Sequence, residues 1–543
     1  MKKKKHASQP IEIKPASDRW AWGLVLAILV VAAAVRIRLL SIPLERDEGE
    51  FAYMGQLMLQ GIPPYKLACN MKLPGIYGVY ALIMAVFGQT AAGIHLGLLL
   101  VNAAAIVLVF LLVKRLYNGY AGVAACAAFA LLSISPSVMG TSAHATHFVI
   151  LPALGGILLM LKAIDSGHPA KFFWSGLLLG LAFIMKQPGL LFIIFAALYL
   201  LWNEVRIRPA DLKRSMMRMA LLLVGAMIPF GLTCLILRAA GVFDKFWFWT
   251  FDYAREYASR VPFSIGSKLF AFQASRVIGP SIWLWVLAGI GFAALILDKK
   301  ARVNRAFNAG FLIFSFLAVC PGLYFREHYF ILMLPAVALL VGVAVGSVRN
   351  YLLSVKPALQ LIPAIIFVIA VGCSVTKQAD FLFRMTPVEA CRMMYSLNPF
   401  PESLEIAKYI KARTTDQDRI LVLGSEPQIY FYADRKSSTS HIYMYGLMED
   451  QRYALQMQNE LIREAEASRP KYLVFVNVET SWLAQPNSKK LVFDWFQKYQ
   501  KSCYDLAGVI DILSPEWTTY YWDDEVSEPQ SSVFVYVFRR KPS

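Results

Sequence analysis

The chain is punctuated by apolar runs close to twenty residues long, the length at which an α-helix crosses a hydrocarbon core roughly 30 Å thick. About eleven such runs can be read, at residues 20–40, 93–113, 120–134, 148–161, 172–185, 190–202, 220–237, 277–297, 307–319, 329–348 and 358–373. The first follows "MKKKK" and lacks the small-residue cleavage pattern of a signal peptide, so it reads as a span that is kept. The expected fold is therefore a polytopic α-helical membrane protein with about eleven transmembrane helices. A composition of 57% hydrophobic and only 17% charged residues over 543 positions lies far from the soluble average and agrees with it.

A formal net charge of +18 would suit a nucleic-acid binder only if it formed a basic face on a soluble domain. Here the basic residues fall between apolar runs, so the expected surroundings are membrane lipids and nucleic acid is excluded as a partner. "MKKKK", Lys114 and Arg115, "RIRPADLKRSMMR" from 206, "DKKARVNR" from 298 and "VRN" near 348 all fall on one side when the spans are counted this way. The positive-inside rule makes that side cytoplasmic. The expectation is a multi-pass protein of the cell (inner or plasma) membrane, with its N-terminus cytoplasmic and its C-terminal region outside.

Two segments need special treatment to keep this count. "LPGIYGVYALIMAVFGQ" from Leu73 would invert every later loop if it crossed, so it reads as a helix lying in the outer interface. "KQPG" at 186–189 sits inside a long apolar stretch with basic flanks at both ends, and reads as the tip of a hairpin of two short helices. The seven cysteines show no CxxC pair and no metal-ligand spacing.

Beyond about Thr376 the pattern changes. "ESLEIAKYIKART" has helical spacing, while "RILVLG", "KYLVFVN" and "SVFVYVF" are short β-branched and aromatic runs suited to strands. The expected organisation is a basic tail at 1–19, a transmembrane module at 20–375 with an outer loop at 41–90, and a soluble extracytoplasmic α/β domain at 376–543.

The outer loop carries the densest charge. "RDEGEFAYMGQ" places Asp47, Glu48 and Glu50 beside Arg46 at the membrane edge, where burying charge is costly. One account is structural: Asp47 caps a helix beginning at Glu48, and Glu50 completes a capping box. That leaves Glu48 without a structural role.

These residues also carry a resemblance. Arg-Asp-Glu-Gly-x-Phe-Ala at 46–52, "PY" at 64–65, "KLPG" at 72–75 and the later "FREHYFILMLPAVALLVG" are together similar to the GT-C membrane glycosyltransferases, in particular the glycosyltransferase family 39-like branch. That branch includes protein O-mannosyltransferases, aminoarabinose transferases of lipid A and rhizobial galacturonosyl transferases. The resemblance covers the membrane part from about 20 to 375.

The resemblance implies an inverting hexosyl- or pentosyltransferase that moves a sugar from a polyprenyl-phosphate donor to a lipid, glycan or protein acceptor at the outer face. A transporter or flippase of lipid-linked glycans, and a glycan polymerase or ligase, are the alternatives. Asp47 is then expected to act as general base toward the acceptor hydroxyl. Glu48 would be a second catalytic carboxylate that orients it, binds the sugar or holds a divalent ion. A polyprenyl phosphate leaves as an anion, so cations are wanted at the leaving group. Lys72, Lys186 and Arg326 are the outer-face candidates, with snorkelling the alternative for Lys186 and a local pair with Glu327 the alternative for Arg326. Tyr53, Tyr65, His328 and Tyr329 are the expected substrate contacts.

Met71 stands where some relatives carry an acidic residue before the lysine, which weighs against a metal ligand there and against the aminoarabinose reading. No cofactor is required, and a divalent metal is left open with its ligands unknown. His144 and His147 in "HATH" have an i, i+3 spacing that suits a metal, but no third ligand can be named, so a hydrogen-bonded or interfacial role is expected. The aromatic run Phe246, Trp247, Phe248, Trp249 and Phe251 reads as an interfacial belt, with Tyr253 and Tyr257 in reach of sugar or lipid.

Overall fold

The structure, a computed structural model, describes residues 19–206 and 211–542. All but Arg19 of the expected basic tail at 1–19 lies outside the described residues. The apolar runs fold as helices because hydrocarbon offers no partner for a free backbone N–H or C=O. In order they are α1 (Arg19–Arg38), α2 (Arg46–Leu59), α3 (Gly75–Phe87), α4 (Ala91–Leu116), α5 (Gly119–Ile134), α6 (Ala145–Ser166), α7 (Pro169–Met185), α8 (Leu190–Arg206) and α9 (Leu212–Ala239). Four further apolar stretches follow, at Phe263–Leu297, Arg305–Val319, Leu334–Val355 and Ile362–Lys377.

Among the described residues, eight helical stretches are long and apolar enough to cross a membrane, and Gly119–Ile134, Pro169–Met185 and Arg305–Val319 are shorter apolar helices that account for the other runs. Large apolar side chains stay exposed along them, Leu26, Val31, Met227 and Ile236 among others, as lipid-facing surfaces require. Two boundaries differ from the expectation. The run at 277–297 is only the second half of Phe263–Leu297, whose two helices meet at a 3-10 turn over Gly279–Ser281. The run at 329–348 opens as a 3-10 turn, Glu327–Leu332, and becomes α-helical at Leu334.

α3 has 13 residues, about 20 Å at ~1.5 Å per residue, too short to span the core. α7 and α8 form the hairpin, linked by a 3-10 turn at Gln187–Gly189. A Cβ on Gly189 would stand 2.4 Å from the Ala182 carbonyl oxygen, so the tight return needs glycine there.

After Pro387–Tyr395 and Glu402–Ala412 the chain builds a six-stranded mixed sheet. Its strands are β1 (Arg419–Leu423), β2 (Lys436–Ser437), β3 (Tyr472–Asn477), β4 (Tyr504–Ile512), β5 (Thr518–Trp522) and β6 (Phe534–Arg540), in spatial order β2-β1-β3-β6-β4-β5. β1 runs parallel to β2 and β3, and the remaining pairs are antiparallel. The three strand-like runs in the sequence are β1, β3 and β6.

This domain is sewn onto the outer loop. The Cys69 N–H donates to the Ser440 carbonyl at 2.9 Å, the Ser437 N–H to the Tyr53 hydroxyl at 2.7 Å, and the Leu44 N–H to the Tyr432 hydroxyl at 2.9 Å. The glycine of the "RDEGE" motif belongs to the same seam. A Cβ on Gly49 would meet the Gln428 backbone nitrogen at 2.6 Å, so a larger residue would push the domain off α2.

Candidate active site

The three motif carboxylates part company at the first turn of α2. Glu45, not Asp47, caps the helix: its side chain accepts from the Glu48 N–H at 2.9 Å, and the Glu48 carboxylate accepts from the Glu45 N–H at 3.2 Å. The expected box of Asp47 and Glu50 is therefore displaced by two residues. Helix capping is satisfied one turn edge earlier, and Asp47 is left free of backbone duties.

Glu48 turns inward. It is fully buried and accepts from the Ala143 N–H at 2.5 Å, with His95 Nε2 2.8 Å away and the other ring nitrogen of His95 2.8 Å from the Leu40 carbonyl. The expectation of a second catalytic carboxylate at Glu48 meets a residue that is not on the cavity wall. It ties α2 to α4 and to the segment before α6. Glu50 is likewise buried, accepting from Tyr77 Oη at 2.7 Å and from Asn70 Nδ2 at 2.5 Å. Burial pushes its carboxyl up to about 7 despite the pull of Lys72.

Asp47 alone of the three opens onto a cavity of about 340 Å3. Lys72 Nζ stands 3.3 Å from Oδ2, and Tyr443 Oη donates to Oδ1 at 3.2 Å. Burial alone would raise the Asp47 carboxyl, but Lys72, His144, Lys186 and Arg326 overcome it and hold the group well below the usual carboxylate range. Lys72 is pushed up in turn: burial works against its charge, and Asp47 and Glu50 outweigh burial.

The other expected cations come to the same place. Arg326 lines the cavity, and the local pair with Glu327 is not formed, because Glu327 reaches Arg276 at 3.2 Å instead. Lys186, at the hairpin tip, lines a smaller chamber of about 150 Å3 whose wall of Met71, Lys72, Tyr257 and Tyr329 is shared with the first. Its ammonium sits 4.1 Å over the Tyr329 ring, without a carboxylate partner among the described residues. Burial, then the charge of Lys72, pushes it down to about 7.

His144 and His328 also border the cavity, stacked with ring centroids 4.0 Å apart and planes 10° from parallel. Among the described residues neither nitrogen of buried His144 makes a hydrogen bond, and Glu45 Oε1 lies 3.6 Å from its Nδ1, so of the hydrogen-bonded or interfacial role expected the hydrogen-bonded alternative is not met. Burial pushes His144 down to about 4 and His328 well below its ordinary value. Asp47, His144 and His328 offer ligand atoms that all lie within 4.8 Å of one another. His147 takes no part in this group, so the i, i+3 pair is not the metal pair; the third residue comes from 184 positions away at His328.

Two expected substrate contacts are corrected. Tyr53 is buried against Tyr430 at 5.2 Å with its hydroxyl accepting from Ser437, and Tyr65 is buried with its hydroxyl donating to the Lys72 carbonyl at 2.6 Å. Both brace the site from behind. His328 and Tyr329 do line it. The aromatic belt also divides: Phe246 is buried and Trp247 is 42% exposed, whereas Trp249, Tyr253 and Tyr257 face the cavity. Sequence reasoning missed the roof altogether. Tyr443, Tyr445, Glu449 and Thr480 of the C-terminal domain complete the wall; the paired tyrosines of "HIYMYG" at 441–446 were a signal for the first two, and none marked Glu449 or Thr480.

Comparison with known proteins agrees with this architecture. Residues 73–232 match the family described as dolichyl-phosphate-mannose-protein mannosyltransferase. ArnT from Cupriavidus metallidurans is similar in its apo crystal structure (TM-score 0.61, 14% identity, 96% of this chain and 98% of that one covered) and in its structure bound to undecaprenyl phosphate (0.55, 15%, 96% and 98%). The archaeal oligosaccharyltransferase AglB from Archaeoglobus fulgidus, in complex with an inhibitory peptide and a dolichol-phosphate, is similar over 97% of this chain and 77% of its own (TM-score 0.55, 12% identity). No curated protein sequence matches. In fold, therefore, the chain is similar to these membrane proteins over nearly its whole length, and residues 73–232 also match the mannosyltransferase family model.

Proposed function

We propose that the protein transfers a sugar from a polyprenyl-phosphate donor to an acceptor hydroxyl, with inversion, at the extracytoplasmic face of the cell membrane. The observation that carries this is Asp47: one motif carboxylate is released from capping and faces a chamber bordered by Lys72, Arg326 and, next door, Lys186. The donor phosphate would lie among those cations, with its lipid tail leaving through the less polar chamber beneath Lys186. The acceptor oxygen attacks the anomeric carbon from the face opposite the phosphate. The bond from that carbon to the phosphate oxygen breaks, its electron pair stays on the phosphate, and the acceptor proton passes to Asp47.

A carboxylate held this low is a weak base for an alcohol, so the proton moves late, once the anomeric carbon has become cationic. The phosphate departs as an anion, and the cations stabilise charge that grows on it. Phosphate beside Lys186 would restore the charge that burial disfavours there. Arg326 and Lys186 suit this task because, among the described residues, no carboxylate pairs with either beforehand.

The donor set of Asp47, His144 and His328 also fits a divalent cation: two imidazoles that burial holds toward the neutral form and a carboxylate, with neither His144 nitrogen in a hydrogen bond and Glu45 Oε1 3.6 Å from its Nδ1. Such an ion would supply Lewis-acid stabilisation of an oxygen at this spot. The deciding experiment is incubation of the purified protein with a panel of polyprenyl-phosphate sugars and candidate acceptors, following release of polyprenyl phosphate by mass spectrometry. Release from at least one donor by the native protein and not by Asp47→Asn is expected; release by both would refute the assignment.

A further inference from the structure

Arg46 borders the cavity next to Asp47, which would make it one more cation for the phosphate. Its hydrogen bonds run the other way. Nε donates to the Ser425 carbonyl at 2.7 Å, and Nη2 donates to Asn398 Oδ1 at 3.0 Å and to Glu426 Oε1 at 2.9 Å. The guanidinium also lies between the Phe400 and Tyr445 rings, 5.4 and 5.5 Å from their centroids. Glu426 is fully buried and is not on the cavity wall. Its second oxygen accepts from Ser481 Oγ at 2.5 Å, and Ser481 Oγ accepts from the Ser425 N–H at 2.8 Å. Ser425 Oγ then accepts from the Met444 N–H at 2.9 Å.

This relay begins beside Asp47 and ends between Tyr443, which donates to Asp47, and Tyr445. The same domain grips the loop that carries Lys72, through the Cys69 N–H and the Ser440 carbonyl. We propose that Arg46 is a positioning residue: it clasps the C-terminal domain onto the membrane part and thereby sets Tyr443, Asp47 and Lys72 in register. Glu426 gives the clasp its grip, because a carboxylate buried this deeply is stable in its ionised form only with a partner, and no other cation pairs with it among the described residues. The domain is on this account a wall of the active site.

The inference rests on the donor reading above, and the test separates the two. Undecaprenyl phosphate affinity and hydrogen exchange over residues 436–449 are measured on the full chain and on Arg46→Ala, Arg46→Lys, Glu426→Gln and the double variant Arg46→Ala/Glu426→Gln. A clasp predicts that Arg46→Ala and Glu426→Gln each speed exchange and weaken binding by about tenfold or more, with the double variant no worse than the poorer single. Arg46→Lys should fall between. Unchanged exchange in Arg46→Ala with weakened binding would make Arg46 a direct phosphate ligand and overturn the proposal, as would a silent Glu426→Gln. If the native protein fails to bind undecaprenyl phosphate, the donor reading fails, and the exchange comparison alone decides the clasp.

Discussion

Lys72 Nζ and Asp47 Oδ2 are 3.3 Å apart, yet both border the same cavity with part of their surface open to it. Each therefore remains available to a substrate while holding the other's charge. On the proposed reading, a phosphate approaching Lys72 would compete with Asp47 for it and free the carboxylate to receive a proton.

The capping assignment makes Asp47 a clean target. Because Glu45 and Glu48 close the box, Asp47→Asn should leave thermal stability near native while turnover drops by about 10²–10⁴. Activity and unfolding temperature measured on one preparation check this. Native turnover would remove Asp47 from the chemistry.

Glu48 should behave in the opposite way. Its partners are the Ala143 N–H, His95 and, in the capping box, the Glu45 N–H, all buried, so Glu48→Ala strands a buried imidazole and two N–H groups and should cost about 3–5 kcal/mol. A fall in unfolding temperature, with the surviving folded protein still binding donor, is the expected result.

The charge on Lys186 gives a pH signature. With its amine pushed down to about 7, anion binding is fullest below that value and weakens as pH rises through it, by up to about tenfold per unit if this amine dominates. Glu50, also at about 7, gains negative charge in the same window and would add to the loss through Lys72. Donor affinity against pH for native, Lys186→Arg and Glu50→Gln separates them: the arginine variant should flatten most of the slope.

If a divalent ion occupies the Asp47, His144 and His328 group, metal analysis of the purified protein should find about one equivalent, removable by a chelator. His144→Ala and His328→Ala should each lose it, while His147→Ala should keep it. Stoichiometry measured by elemental analysis is the check, independent of activity.

The orientation is tested by thiol labelling at Trp517, which is 64% exposed. Trp517→Cys in a chain whose native cysteines are replaced should react with a membrane-impermeant reagent in intact cells, and Arg302→Cys only after the membrane is opened.

The membrane part was legible because a bilayer leaves the chain few choices: length and apolarity set each span, and the hairpin at Lys186 followed from charge balance alone. The site was half legible. Asp47, Lys72, Arg326, His328 and Tyr329 meet at one cavity, with Lys186 behind the shared wall, since each stands in a short charged or aromatic island at a helix end. Glu45 was not seen as the cap because glutamate is a weak choice for it; the box closes there since His95 and the Ala143 N–H draw Glu48 inward. Tyr53 and Tyr65 were misplaced because a ring's direction is set by packing that the sequence does not display. The link from His144 to His328 needed the fold.

Asp47 meets Tyr443 across 396 positions of sequence, and this sets a schedule. A ribosome delivers the reactive carboxylate among the first segments of the chain and its opposing wall among the last. Until the region around Tyr443 has been made and has packed against α2, Asp47 stands in a charged pit without that wall and without its tyrosine. On the proposed reading, donor binding and turnover would wait until the region around Tyr443 has been made and packed, so a copy halted before it would sequester little lipid-linked sugar from its finished neighbours.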